Sequence, residues 1–219
     1  MKDMDSLLAQ VLAFRPNRLV PPFDLQGHIP FVAWLVKELR PATFVQLGTQ
    51  SGNLYFAACQ TVAENSLPTR CWAVGTWQAE ELAQHHSVQQ EAGASDYNRQ
   101  HFGAFSGLLR MGDAQALPRF APGSVDLLLI DGRYSPETVR NEYESWRDRL
   151  SDHAVVLLVG IEQADSGAAA LWQQLQPQYP HLAFAHAQGL GVLAVGGNVP
   201  KAFQQALQAC ATPEARNQL

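Results

Sequence analysis

The chain has 219 residues, of which 47% are apolar, with a mean hydropathy of −0.13 and a formal net charge of −5. That length suits one sizeable domain, and hydropathy near zero excludes a membrane-embedded protein. Acids and bases are mixed along the chain without a basic stripe, so neither nucleic acid nor an acidic membrane surface is an expected partner.

Cys59, Cys71 and Cys210 are scattered and form no CxxC pair, as expected of reduced thiols in a cytosolic protein. Cys59 and Cys71 have apolar neighbours and read as small core residues. The start, MKDMDSLLAQ, lacks the apolar run of a signal peptide. Runs such as Ala154–Val159 fall far short of the ~20 residues of a spanning helix. A cytoplasmic protein without membrane insertion is expected.

In chain order, Ser6–Phe14 reads as a short amphipathic helix, and Ile29–Leu39 as a second after the turn VPPFD. Residues 1–40 are expected to pack on the core as a helical extension, 41–211 to form the main domain, and 212–219 to be a tail. After Pro41, short apolar runs alternate with helical segments. The expected strands are Thr43–Leu47, Cys71–Val74, Leu108–Met111, Val125–Ile130 and Ala154–Val159. The expected helices are Asn53–Glu64, Ala79–Gln90, Ala114–Leu117, Pro136–Asp148 and Gly167–Leu175. Strands apolar throughout, each followed by a helix, predict a parallel sheet covered on both faces.

Leu182–His186 and Val192–Val195 read as two further strands. Only a few residues separate them, including Gly189 and Gly191, and a parallel crossover needs a dozen or more. The link must be a hairpin, so the last strand is antiparallel. Five strand–helix units closed by a hairpin predict a Rossmann-like three-layer α/β sandwich on a seven-stranded, mostly parallel sheet.

Gly48 and Gly52 bracket the loop between the first strand and its helix. A glycine there permits a tight turn and close approach of backbone to a ligand, and the helix N-terminus directs N–H groups into the crevice. The spacing is GxxxG and not GxGxxG, which argues against an NAD-type pyrophosphate cradle.

The segments FVQLGTQSGNLYF, RCWAVGTW, MGDAQA, SVDLLLIDGRYSPETVRNEYESW and HAQGLGVLAVG resemble class I S-adenosylmethionine (SAM)-dependent methyltransferases. The nearest group is that associated with bacterial surface-polysaccharide glycosyltransferases. The resemblance runs from about Phe44 to Gly197. It implies SAM as cofactor, with Gly48, Thr49 and Gly52 along its methionine and ribose, Asp113 at the adenine amino group, and Trp77 over adenine or ribose. Asp131, ending the fourth strand, would face the transferred methyl as the catalytic carboxylate. Asp113 can also be read as the cap of the helix starting at Ala114, Trp77 as packing, and Asp131–Gly132 as a turn.

The sequence departs from the family at several positions. Gln46 stands where the family has the acid that meets the SAM amino group, and Gly75 where an acid grips the ribose. Losing one charged acceptor costs roughly 1.5–3 kcal/mol. Val159, Gly160 and Tyr134 replace the family's companions of Asp131, so no metal is expected. Glu162 and Asp165 beyond the fifth strand, Arg133 and Tyr134 at the mouth, and His85 and His86 read as solvated, and His153, before a strand, is expected at the rim opposite the ligand.

Two functions stay open. One is methyl transfer to a hydroxyl of a sugar or glycan intermediate in surface-polysaccharide biosynthesis. The other is a catalytically inactive binding or scaffolding domain, with weak or no SAM binding. Expected partners are a sugar or glycan acceptor, a glycosyltransferase, and a second copy of the chain as a homodimer.

Overall fold

A computed structural model describes residues 11–49, 51–75, 88–132 and 134–209. Seven strands form a single sheet: β1 Thr43–Leu47, β2 Arg70–Gly75, β3 Ser106–Arg110, β4 Val125–Asp131, β5 Leu150–Val159, β6 His181–Phe184 and β7 Leu190–Ala194. Their spatial order is β3-β2-β1-β4-β5-β7-β6. The strands from β3 across to β5 pair in parallel, and β7 runs antiparallel to both β5 and β6. The closing hairpin expected from its short link is therefore present.

Side chains alternate faces along each strand, and here both faces are dry. Leu127 and Leu129 join one core while Leu128 and Ile130 join the other. The first core is covered by α1 Ile29–Leu39, α2 Asn53–Glu64, α3 Val88–His101 and α7 Lys201–Ala209, the second by α4 Asp113–Ala116, α5 Pro136–Arg147 and α6 Gly167–Leu175. Local signals set the helix ends. Ser135 and Ser166 accept the backbone N–H of Thr138 and Ala169 at the starts of α5 and α6. Arg40, in the left-handed region at φ 49°, ends α1 before Pro41.

α1, α2 and α6 have the expected bounds, and β1 does too. β5 begins four residues earlier than expected, at Leu150, which pairs with Val125 before the register shifts and pairing resumes at Val155. Helix α3 runs through VQQEAGASDYNRQH, a segment too polar and too lacking in apolar periodicity to announce itself. Only 88–90 of the expected Ala79–Gln90 helix lie within the described residues, as do only 11–14 of the expected Ser6–Phe14. Cys59 and Cys71 are buried and unbridged; Cys210 and the tail lie outside the described residues.

Between residue 13 and the short 3-10 turn Gln26–His28 the chain is irregular rather than helical. This strap crosses the start of α2 and is fastened along its length. Asn17 N donates to Gln60 Oε1 at 2.8 Å, and Gln60 Nε2 returns a bond to Arg15 O at 2.9 Å. Arg18 donates to Ser51 O at 2.6 Å, with its guanidinium 4.9 Å from the Phe56 ring centre and 5.5 Å from that of Tyr97. Asn53 Oδ1 accepts from Val20 N at 3.1 Å while its Nδ2 donates to Val20 O at 2.7 Å. At the far end, His28 Nε2 donates to Ala187 O at 3.1 Å, and His186 Nε2 to Gly27 O at 3.3 Å, tying the strap to the β6–β7 hairpin.

Burial, aided by the neighbouring His186, holds the His28 imidazole down at about 4. Its folded value is below its unfolded one, so its contribution is intact above about 6.5 and is lost as the pH falls through 4. Chemical denaturation at pH 7 and at pH 4 should show a loss of up to roughly 3 kcal/mol from this residue. A His28→Gln variant should show a correspondingly flatter pH dependence.

Candidate functional site

The strand order reverses at β1 and β4, whose chains leave the sheet in opposite lateral directions, and such a point opens a crevice at the carboxyl ends of the strands. A cleft lies there. Its walls are Gln46, Gly48 and Thr49 after β1, Ser51, Asn53 and Leu54 at the start of α2, Leu129 and Asp131 of β4, Val159 of β5, and Pro22, Asp24 and Leu25 of the strap. Measured out to its open mouth it encloses about 350 Å³. The period of two explains the set: Leu129, Asp131 and Val159 fall on the strand face that looks toward α1 and α2.

Gln46 is 3% exposed, and its Nε2 donates to Gly48 O at 3.1 Å. That carbonyl fixes the orientation of the amide, and among the described residues neither Gln46 Oε1 nor the buried Thr49 Oγ1 has a hydrogen-bond partner. An unpaired buried oxygen costs on the order of 1–3 kcal/mol, so two in one cleft mark a place where a donor belongs. Asp131, also 3% exposed, packs against the loop. A methyl group added at Gly48 would meet Asp131 Cβ at 2.8 Å, and Gly48 sits at φ +73°. Both facts require glycine.

The other predicted site residues are distributed more widely. Gly52, at φ 75°, is the N-cap of α2, between two lining residues. Gly75 ends β2 and Asp113 begins α4 beyond β3, both on the rim beside the cleft rather than in its lining. Trp77 lies outside the described residues, as do His85, His86 and Arg133. Helix α4 starts at Asp113 with Gly112 as its N-cap, so Asp113 does not cap a helix beginning at Ala114. Val159 and Gly160 bring no ligand side chain, and Gly160 sits at φ +94° where a side chain would be strained. Among the described residues no three His, Cys, Asp or Glu are grouped as metal ligands.

Glu142 on α5 escapes a reading of the sequence, because an acid on an amphipathic helix looks solvated. In the fold its carboxyl is pushed up to about 9, chiefly by burial, then by the charge of Asp113 and a hydrogen bond with it, and lastly by the charge of Asp131. At neutral pH Glu142 is protonated and paired with Asp113, which orients that residue on the rim.

A family model described as "Methyltransferase domain" matches residues 45–158, just over half of the chain. The chain belongs to this methyltransferase family. A curated relative, the uncharacterized protein y4gI of Sinorhizobium fredii, is 36% identical over 197 residues; these are 89% of this chain but 22% of the relative, so the chain spans about a fifth of that protein's length. Among solved structures, a methyltransferase from Geobacter sulfurreducens superposes with a TM-score of 0.58 at 12% identity, covering 86% of this chain and 94% of that one. The SAH-bound methyltransferase PaMTH1 of Podospora anserina gives 0.57 at 11% identity, covering 86% and 93%. These likenesses show the Rossmann-like methyltransferase fold.

Two measurements test the site's construction. Gly48→Ala should lower stability by about 1–2 kcal/mol from backbone strain alone, with more from the push on Asp131, read as a fall in melting temperature. Because the value for Glu142 is raised in the folded protein, its contribution is complete below 4.5 and is lost as the pH rises through 9. Glu142→Gln keeps a donor for Asp113, and its denaturation curves should lose that alkaline decline.

Proposed function

We propose that the cleft holds SAM and that the protein transfers its methyl group to a hydroxyl of a sugar or glycan intermediate. One observation carries the reading. Among the described residues the charged side chains lining the cleft are two carboxylates, Asp24 and Asp131, and two further buried oxygens there have no hydrogen-bond partner. Such a lining suits a ligand end rich in positive charge and N–H groups. When bound, SAM supplies an electrophilic methyl on a cationic sulfonium, beside an α-ammonium group.

The residues present fit that ligand. The first N–H groups of α2 have no carbonyl of their own helix to bond, and suit the carboxylate of a methionine. Gly48, Thr49 and Gly52 would hold the methionine and ribose, and Asp113, oriented by Glu142, the adenine amino group, with Trp77 as its cover. Asp131 would accept the hydroxyl hydrogen of the acceptor, orienting its oxygen, and take the proton as the methyl–oxygen bond forms and the methyl–sulfur bond breaks, with the neutral thioether as leaving group. Exposed Phe23, between the lining residues Pro22 and Asp24, offers an apolar face for a sugar ring. A role in surface-polysaccharide biosynthesis beside a glycosyltransferase is supported by the sequence resemblance alone.

A second reading is a methyltransferase-fold binding or scaffolding domain without turnover. It is favoured by the neutral Gln46 and by Gly75, which brings no side chain to the rim.

Titration calorimetry with S-adenosylhomocysteine should show micromolar binding, and no heat at millimolar ligand would overturn the SAM site. Asp131→Asn should keep that affinity within about threefold while methyl transfer to sugar acceptors drops by roughly a hundredfold or more. Binding without any transfer by the unaltered protein would favour the scaffolding reading.

A further inference from the structure

The strap contributes more than a wall. It brings Asp24 to the cleft from outside the strand–loop–helix unit that carries Gln46, Gly48 and Thr49. Among the described residues no hydrogen bond or ion pair engages Asp24, although it lines a cleft that contains the buried, unpartnered Gln46 Oε1. Its backbone is held on both sides. Asn53 Nδ2 reaches Pro22 O at 3.3 Å as well as Val20 O, and His28 is bonded to Ala187 O. The carboxylate is therefore presented to the cleft by a fastened segment.

We propose that Asp24 is the charged contact for the α-ammonium group of the bound ligand, acting beside Gln46 Oε1. The proposal rests on the SAM reading above. Such a ligand has two cationic centres and the cleft two carboxylates. Asp131 ends β4 against Gly48, at the floor of the cleft, whereas Asp24 is uncommitted and stands on the wall beside the start of α2. Gln46 is neutral and can accept a hydrogen bond but supplies no charge. A strap carboxylate completes the ammonium's surroundings with the charge that Gln46 lacks.

The test compares two ligands on the full chain. S-adenosylhomocysteine carries the amino-acid end; 5′-methylthioadenosine keeps adenosine and thioether but has no ammonium. Asp24→Asn is a near-isosteric change at an exposed position. It should weaken S-adenosylhomocysteine by roughly tenfold, about 1.4 kcal/mol, and leave 5′-methylthioadenosine within about twofold. The unaltered protein should also lose affinity for S-adenosylhomocysteine as salt is raised, more steeply than the variant does. If the unaltered protein binds S-adenosylhomocysteine and Asp24→Asn binds it equally well, or loses both ligands equally, the role of Asp24 is overturned and the SAM site stands. If the unaltered protein binds neither ligand, the SAM reading itself falls, and this inference with it.

Discussion

The contact between Gly48 and Asp131 is the constraint on which the site depends. Parallel pairing of β1 and β4 brings the ends of two strands together where the chain departs to opposite sides. Only a glycine at the end of β1 lets the loop pass within contact distance of the Asp131 side chain. Asp131 and Gln46, both buried, line the same cleft as the first residues of α2.

Much of this was legible in the sequence. Strand runs apolar on both faces announce a sheet with two cores, and the few residues between the last two strands leave no alternative to a hairpin. Gly48 and Gly52 announce a loop where backbone must approach closely. Gln46 and Asp131 could be placed at strand ends by counting, and the fold puts both in the cleft lining.

The strap and Glu142 were not legible, for different physical reasons. Residues 15–25 have neither period two nor period 3.6; they are held by side-chain amides and a guanidinium to backbone carbonyls, and such bonds leave no pattern in one sequence. Asp24 was accordingly invisible as a cleft residue. Glu142 sits on a helix whose buried positions are Val139, Tyr143 and Trp146, and its spacing looks like that of a solvated neighbour. Its partner, Asp113, lies nearly thirty positions earlier, at the start of α4. Helix α3 was hidden because its polar residues are anchored by an internal network, in which Asn98 Nδ2 donates to Ser106 O at 3.2 Å.

The two ends of the strap connect parts of the chain that are made far apart in time. His28 and Ala187 are 159 positions apart, and Gly27 and His186 are equally distant. Contacts of such separation form only after intervening chain has been ordered, since closing a long loop comes before any reward from the contact. During synthesis the strap leaves the ribosome well before its anchoring hairpin. The strap's own bonds to α2 hold its first part, and its far end, beyond Asp24, is anchored only once the hairpin is in place. Anchoring of the strap's far end thus waits on the hairpin, and it reports that the chain from Arg15 to Gln188 has folded as one piece.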